Sequence, residues 1–85
     1  MDAADRARFA VRCIVVSTQS GAASIGRTYA ADPVLRDRLQ HETFERGRLL
    51  LADLEARAHP MSDELARDLH AAREAVGGSV SQGID

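Results

Sequence analysis

The sequence predicts an all-α fold: a small helical bundle built on an antiparallel helical hairpin of residues 33–58 and 63–76. One or two N-terminal helices, about 3–18 and 22–31, precede it. Three observations predict this. The chain is rich in Ala, Arg, Leu and Glu, all strong helix formers. Its leucines recur at helical spacing from residue 35 to residue 54. Its one β-branched run, Ile14-Val15-Val16-Ser17-Thr18, has no second run to pair with as a strand.

Read as a helix, residues 3–18 place Ala3, Ala7, Val11, Ile14 and Thr18 on one side and Phe9, Cys13 and Val16 on another. A helix apolar on two sides is expected to be sandwiched between neighbours. Cys13 then reads as a small buried hydrophobe. Gly21 reads as a break, with a short second helix over 22–31.

Asp32-Pro33 is a strong helix start, an N-cap followed by a ring already set for the first helical position. The pattern then runs unbroken to Ala58 and stops at His59-Pro60. Leu35, Leu39, Thr43, Leu50, Leu54 and Ala58 share one face, flanked by Phe44 and Leu51. Gly47 lies on that face, where a missing side chain lets another backbone come close. His59, as a cation at the helix end, would complement the dipole. Ser62 caps the last helix, with Asp63 and Glu64 in its first turn, a stripe of Leu65, Leu69, Ala72 and Val76, and Gly77 as its stop. Residues 1–76 therefore read as a single helical domain, and 77–85, with three glycines and two serines, as a flexible tail.

The core available to such a bundle is thin. Of 85 residues, 45% are apolar, but 15 are alanine, aromatics are 4% and there is no tryptophan. At this size one core supplies roughly 3–5 kcal/mol of net stability, and the single cysteine forms no internal disulfide. The face of residues 35–58 is longer than the Leu65–Val76 stripe that could cover it. A second copy of the chain is the expected remedy. The predicted interface comprises Phe9, Val16, Leu35, Leu39, Phe44, Leu50, Leu51 and Leu54.

The net charge is −2, with eleven arginines and no lysine. Residues 1–48 hold eight arginines against six acids; residues 49–85 hold three against seven. An anionic partner would meet the first half. One alternative function follows: a helix-turn-helix around residues 22–40, closed by Ile25, Tyr29, Leu35 and Leu39, with Arg27, Arg36 and Arg38 as the nucleic-acid contacts. Asp37 and Glu42 share that exposed surface and oppose this reading.

Two further patterns carry less. Gly21-Ala-Ala-Ser-Ile-Gly26-Arg27-Thr28 has phosphate-loop spacing, and Leu49–Asp53 imitates the acidic box that would hold magnesium. Arg replaces the required Lys, however, and the chain is too short for the parallel sheet such a loop needs. His41/Glu45 and His70/Glu74 sit four apart and read as solvated pairs on polar faces, an interchain metal site being the alternative. No serine or cysteine has the surroundings of a nucleophile.

The expected function is thus a small non-catalytic protein–protein interaction module: an adaptor, an assembly or regulatory subunit, or an inhibitor of a larger complex. It would act as a homo-oligomer, preferentially a dimer, with no cofactor and no metal. With neither a signal peptide nor a membrane-length apolar run, a cytoplasmic location is expected.

Overall fold

A computed structural model describes residues 2–58 and 61–82, with side chains to residue 77. Three helices follow in order: α1 (Ala3–Thr28), α2 (Pro33–Arg57) and α3 (Asp63–Gln82). No strand occurs among the described residues. His59 and Pro60, read from the sequence as the stop of the long helix, lie outside the described residues, as do 83–85.

Each helix begins on a side chain that satisfies an otherwise unpaired N–H. Asp5 N–H donates to the Asp2 carboxylate (2.8 Å), Leu35 N–H to Asp32 (3.2 Å) and Leu65 N–H to the Ser62 hydroxyl (3.1 Å). The last two caps are those the sequence predicts. Between α1 and α2 the chain turns tightly, with Asp32 N–H donating to the Tyr29 carbonyl at 3.0 Å.

Two predicted boundaries are corrected. The separate helices 3–18 and 22–31 are one rod, because Gly21 and Gly26 are packed against α2 instead of ending a helix. A Cβ on Gly21 would lie 3.5 Å from the Thr43 methyl, and one on Gly26 would lie 3.1 Å from Gln40 Nε2. Tertiary packing there outweighs glycine's intrinsic cost of about 1 kcal/mol in a helix. Likewise α3 does not stop at Gly77 but continues to Gln82.

The tightest packing is between α1 and α2, not between α2 and α3 as the predicted hairpin implies. Thr18 lies against Gly47, Gly21 against Thr43, and Gly26 against Gln40, whose amide donates to the Ala22 carbonyl at 2.9 Å. As α1 ascends from 18 to 26, α2 descends from 47 to 40, so the two run antiparallel. Small residues on both sides make the close approach possible. A Cβ added at Gly47 would stand 2.6 Å from Thr18 Oγ1, and Thr18 itself is 6% exposed. The sequence reading of Gly47 as a close-approach point therefore holds.

Toward the other end, α3 lies across both helices and closes a core of Val11, Leu51, Leu65, Leu69, Ala72 and Val76. Arg8 on α1 donates to Asp68 on α3 at 2.7 Å, and Arg73 on α3 pairs with Glu55 on α2. The bundle measures 45 × 28 × 15 Å with a radius of gyration of 14.2 Å. A compact chain of this length would have about 12 Å. An elongated bundle has much surface for its volume, which is why so few large side chains are fully enclosed.

The long face of α2 does not overhang the fold, because the continuous α1 runs along it at nearly equal length. What remains uncovered is the outer side of α1 and one edge of α2.

Candidate functional site

Helix α1 has two apolar stripes, and the bundle uses one. Val11, Thr18 and Ala22 are buried, with Ala7, Ile14 and Val15 packed beside them. The second stripe faces away. Phe9 and Val16 are each 60% exposed, and Cys13 between them is exposed too. The expectation of a buried Cys13 is overturned for this reason: α2 and α3 both pack on the side of α1 that carries Val11, so Cys13 meets α2 only at the rim of an open depression. The stripe is not sandwiched.

Phe9, Cys13 and Val16 are spaced by four and three residues and so lie next to one another along the helix. Cys13 in turn shares a shallow depression with Leu50 of α2, floored by Thr18 and Gly47. Leu50 is 49% exposed and Leu49 beside it 63%. The result is an apolar strip that starts on α1 and crosses to the edge of α2, with Arg46 at its border.

The eight residues predicted as an interface therefore separate. Phe9, Val16 and Leu50 are on this strip. Leu35 and Leu39 are half-buried near the α1–α2 turn, in a different place. Phe44 and Leu54 pack against the core, and Leu51 is fully enclosed by it. Leu51 is a core residue, because α3 occupies the side of α2 that the flank position faces. Cys13, absent from the predicted set, is on the strip with Leu50, while Leu49, also absent from it, is exposed about 100° further round α2. The signal for Leu49 was its place off the leucine stripe, where a large apolar side chain has no inward reason to be.

The arginines proposed as nucleic-acid contacts do not converge on a free basic surface. Arg36 donates to the adjacent Asp37 at 3.2 Å, and Arg38 lies 4.0 Å from Glu42 one turn on. Arg27 stands in the last turn of α1, where it complements the helix dipole. The antiparallel seam through residues 18–26 and 40–47 also differs from a helix-turn-helix, whose helices cross at about 90–120°.

The phosphate-loop pattern falls wholly within α1. Its backbone N–H groups are spent on the helix, and its glycines are used against α2. Asp53 of the imitated acidic box pairs with Arg57 at 2.5 Å on the surface of α2. Of the histidine pairs, His70 and Glu74 approach to 3.2 Å with both side chains largely in water, whereas Glu45 pairs with Arg48. Among the described residues, no three His, Cys, Asp or Glu side chains converge as a metal site.

Arg8 and Asp68 form a hydrogen-bonded ion pair between α1 and α3 at 2.7 Å. This hydrogen bond, and the charge behind it, hold the Arg8 guanidinium above its ordinary pKa; Glu64 and Asp5 add to the effect and slight desolvation opposes it. Arg8 is therefore a fixed cation tying α1 to α3.

Fold and surface together define a small all-α, three-helix protein with an apolar strip on its outer face. None of its described helices is long and apolar enough to cross a membrane. No protein-family model, curated protein or solved structure matches the chain.

Proposed function

We propose that this chain is a small non-catalytic protein–protein interaction module that works as a homo-oligomer, a dimer in the simplest case. As a dimer it would serve as an adaptor, an assembly or regulatory subunit, or an inhibitor of a larger complex. One observation carries the reading. Phe9 and Val16 stand 60% exposed and Leu50 about half exposed, with Cys13 between them, on helices whose inner faces are already filled. Scattered apolar residues on a surface need no explanation, but a contiguous apolar strip marks an interaction site. Its aromatic and aliphatic members are large enough to act as anchors, which is how a few residues come to dominate an interface.

The reading is tested by light scattering across the micromolar range. A mass of twice the 9.2 kDa chain supports it, as does a return to the single-chain mass when Phe9→Asp and Val16→Asp are introduced together. A monomer at every concentration would refute the oligomer. Because both residues are exposed, the double variant should keep the helical circular dichroism of the parent.

A further inference from the structure

We infer that the cavity at the end of the bundle where α1 begins binds a small amphipathic carboxylate. Its head would lie between Arg6 and Arg57 and its alkyl tail against the alanines of α1. The cavity has a volume of about 600 Å³, within the range of small-molecule sites. Ala3, Ala7 and Ala10 line it from α1, Leu54 from α2, and Met61 and Leu65 from the α3 side. Alanine is the reason the space exists. Further along α1 the inward positions carry Val11 and Ile14, and there the core is filled. Apolar walls around a void lack contact atoms on one side, and an alkyl tail supplies them.

The arginines set the charge of the ligand. Cys13 and Leu50 share the depression higher on the α1–α2 seam. Arg6 stands two turns before Cys13, and Arg57 two turns after Leu50 on the antiparallel helix. The two arginines therefore meet at one level of the seam, and both line the cavity. Like charges repel in that arrangement, and an anion between them replaces the repulsion with attraction.

The chain does not supply that anion itself. Among the described residues no carboxylate pairs with Arg6. Asp2, one turn before it, is engaged as the cap of α1. Asp53 takes one Nη of Arg57, which leaves the other N–H donors of that fork for a ligand. A carboxylate suits the pair, because a planar guanidinium donates to its two oxygens in parallel. The site is distinct from the Phe9 strip and does not depend on the dimeric reading.

The test is isothermal titration calorimetry of the full chain with sodium octanoate. Two further probes each lack one half of it: octanol has the tail without the charge, acetate the charge without the tail. Octanoate should bind at one site per chain, and both other probes at least about tenfold more weakly. Arg6→Gln with Arg57→Gln should cut octanoate affinity at least about tenfold and leave octanol unchanged. Ala10→Leu fills the place of the tail and should abolish octanoate binding. Circular dichroism checks each variant for helicity; if Ala10→Leu loses it, Ala3→Leu, at an exposed position, fills the same cavity. No saturable octanoate binding to the parent would overturn the inference. Octanol binding as tightly as octanoate, or octanoate affinity unchanged in the double glutamine variant, would overturn the role of the arginines. Acetate binding as tightly as octanoate, or octanoate affinity unchanged in the folded leucine variant, would overturn the place of the tail.

Discussion

Replacing Gly47 by alanine probes the joint on which the α1–α2 pair depends. On an isolated helix the change would stabilise by about 1 kcal/mol, since alanine is the better helix former. Here the added Cβ would lie 2.6 Å from Thr18 Oγ1, 3.0 Å from its Cγ2 and 3.3 Å from its Cβ. Threonine is β-branched and stiff at χ1, and at 6% exposure it has little room to turn aside. The helices must then separate. Overpacking of a tight contact costs about 1–3 kcal/mol, and the stiffness of Thr18 places this case in the upper half of that range. Subtracting the helix gain leaves a net loss of about 1–2 kcal/mol. For a chain of this size that corresponds to roughly 4–16 °C in Tm. The assay is urea unfolding followed by circular dichroism. Thr18→Ala removes the two closest atoms, so the double variant Thr18→Ala/Gly47→Ala should recover most of the loss, a favourable coupling visible in a double-mutant cycle. Gly77→Ala is the internal control, because nothing lies within 4 Å of its added Cβ. It should stabilise by about 1 kcal/mol. Gly47→Ala matching or exceeding the parent in stability would refute the close-contact account.

Three other perturbations follow from the same geometry. Leu51, fully enclosed, should lose about 2–5 kcal/mol as Leu51→Ala, enough to unfold a chain whose net stability is roughly 3–5 kcal/mol. Leu49→Ala, at a position 63% exposed, should stay within about 0.5 kcal/mol of the parent in the same urea titration. Arg8→Met should lower the urea midpoint by loosening α3 from α1. Because the Arg8 pKa is raised in the fold, its contribution is complete below arginine's ordinary value and lost only above it. The difference between variant and parent should therefore be flat from about pH 6 to 9, and a difference that varies across that range would show another group to be responsible. Finally, because Arg36 and Arg38 have acids beside them, a duplex-DNA titration at low and moderate salt should show no tight, salt-sensitive binding. Tight binding abolished by Arg36→Ala with Arg38→Ala would restore the helix-turn-helix reading.

The parts of this fold that were legible in the sequence are those decided locally. Asp32-Pro33 and Ser62 start helices because a short polar side chain meets a free N–H two or three residues on, wherever the helix then goes. Gly47 was legible for a related reason, as a missing side chain in the middle of an apolar face. Gly21 and Gly77 were misleading because glycine's local preference is weak. At Gly21 contact with Thr43 overrides it, and at Gly77 the helix simply runs on. The two apolar stripes of α1 were visible too, but not which of them faces inward. That choice is made by where α2 and α3 lie, and no property of Phe9, Cys13 or Val16 alone decides it. The same limit put Leu51, which the core encloses, in the predicted interface.

The exposed strip also sharpens what the thin core means. Since α1 already covers the long face of α2, the surface a second copy would cover is the outer stripe of α1 and the edge of α2. The central claim is that this surface joins two chains, and the solution mass tests it most directly. Light scattering is preferred to elution position, because a 45 Å rod elutes early whatever its state of association. The account predicts twice the 9.2 kDa chain mass in the micromolar range, falling toward one chain on dilution and in Phe9→Ala. A constant mass of one chain at every concentration would contradict it.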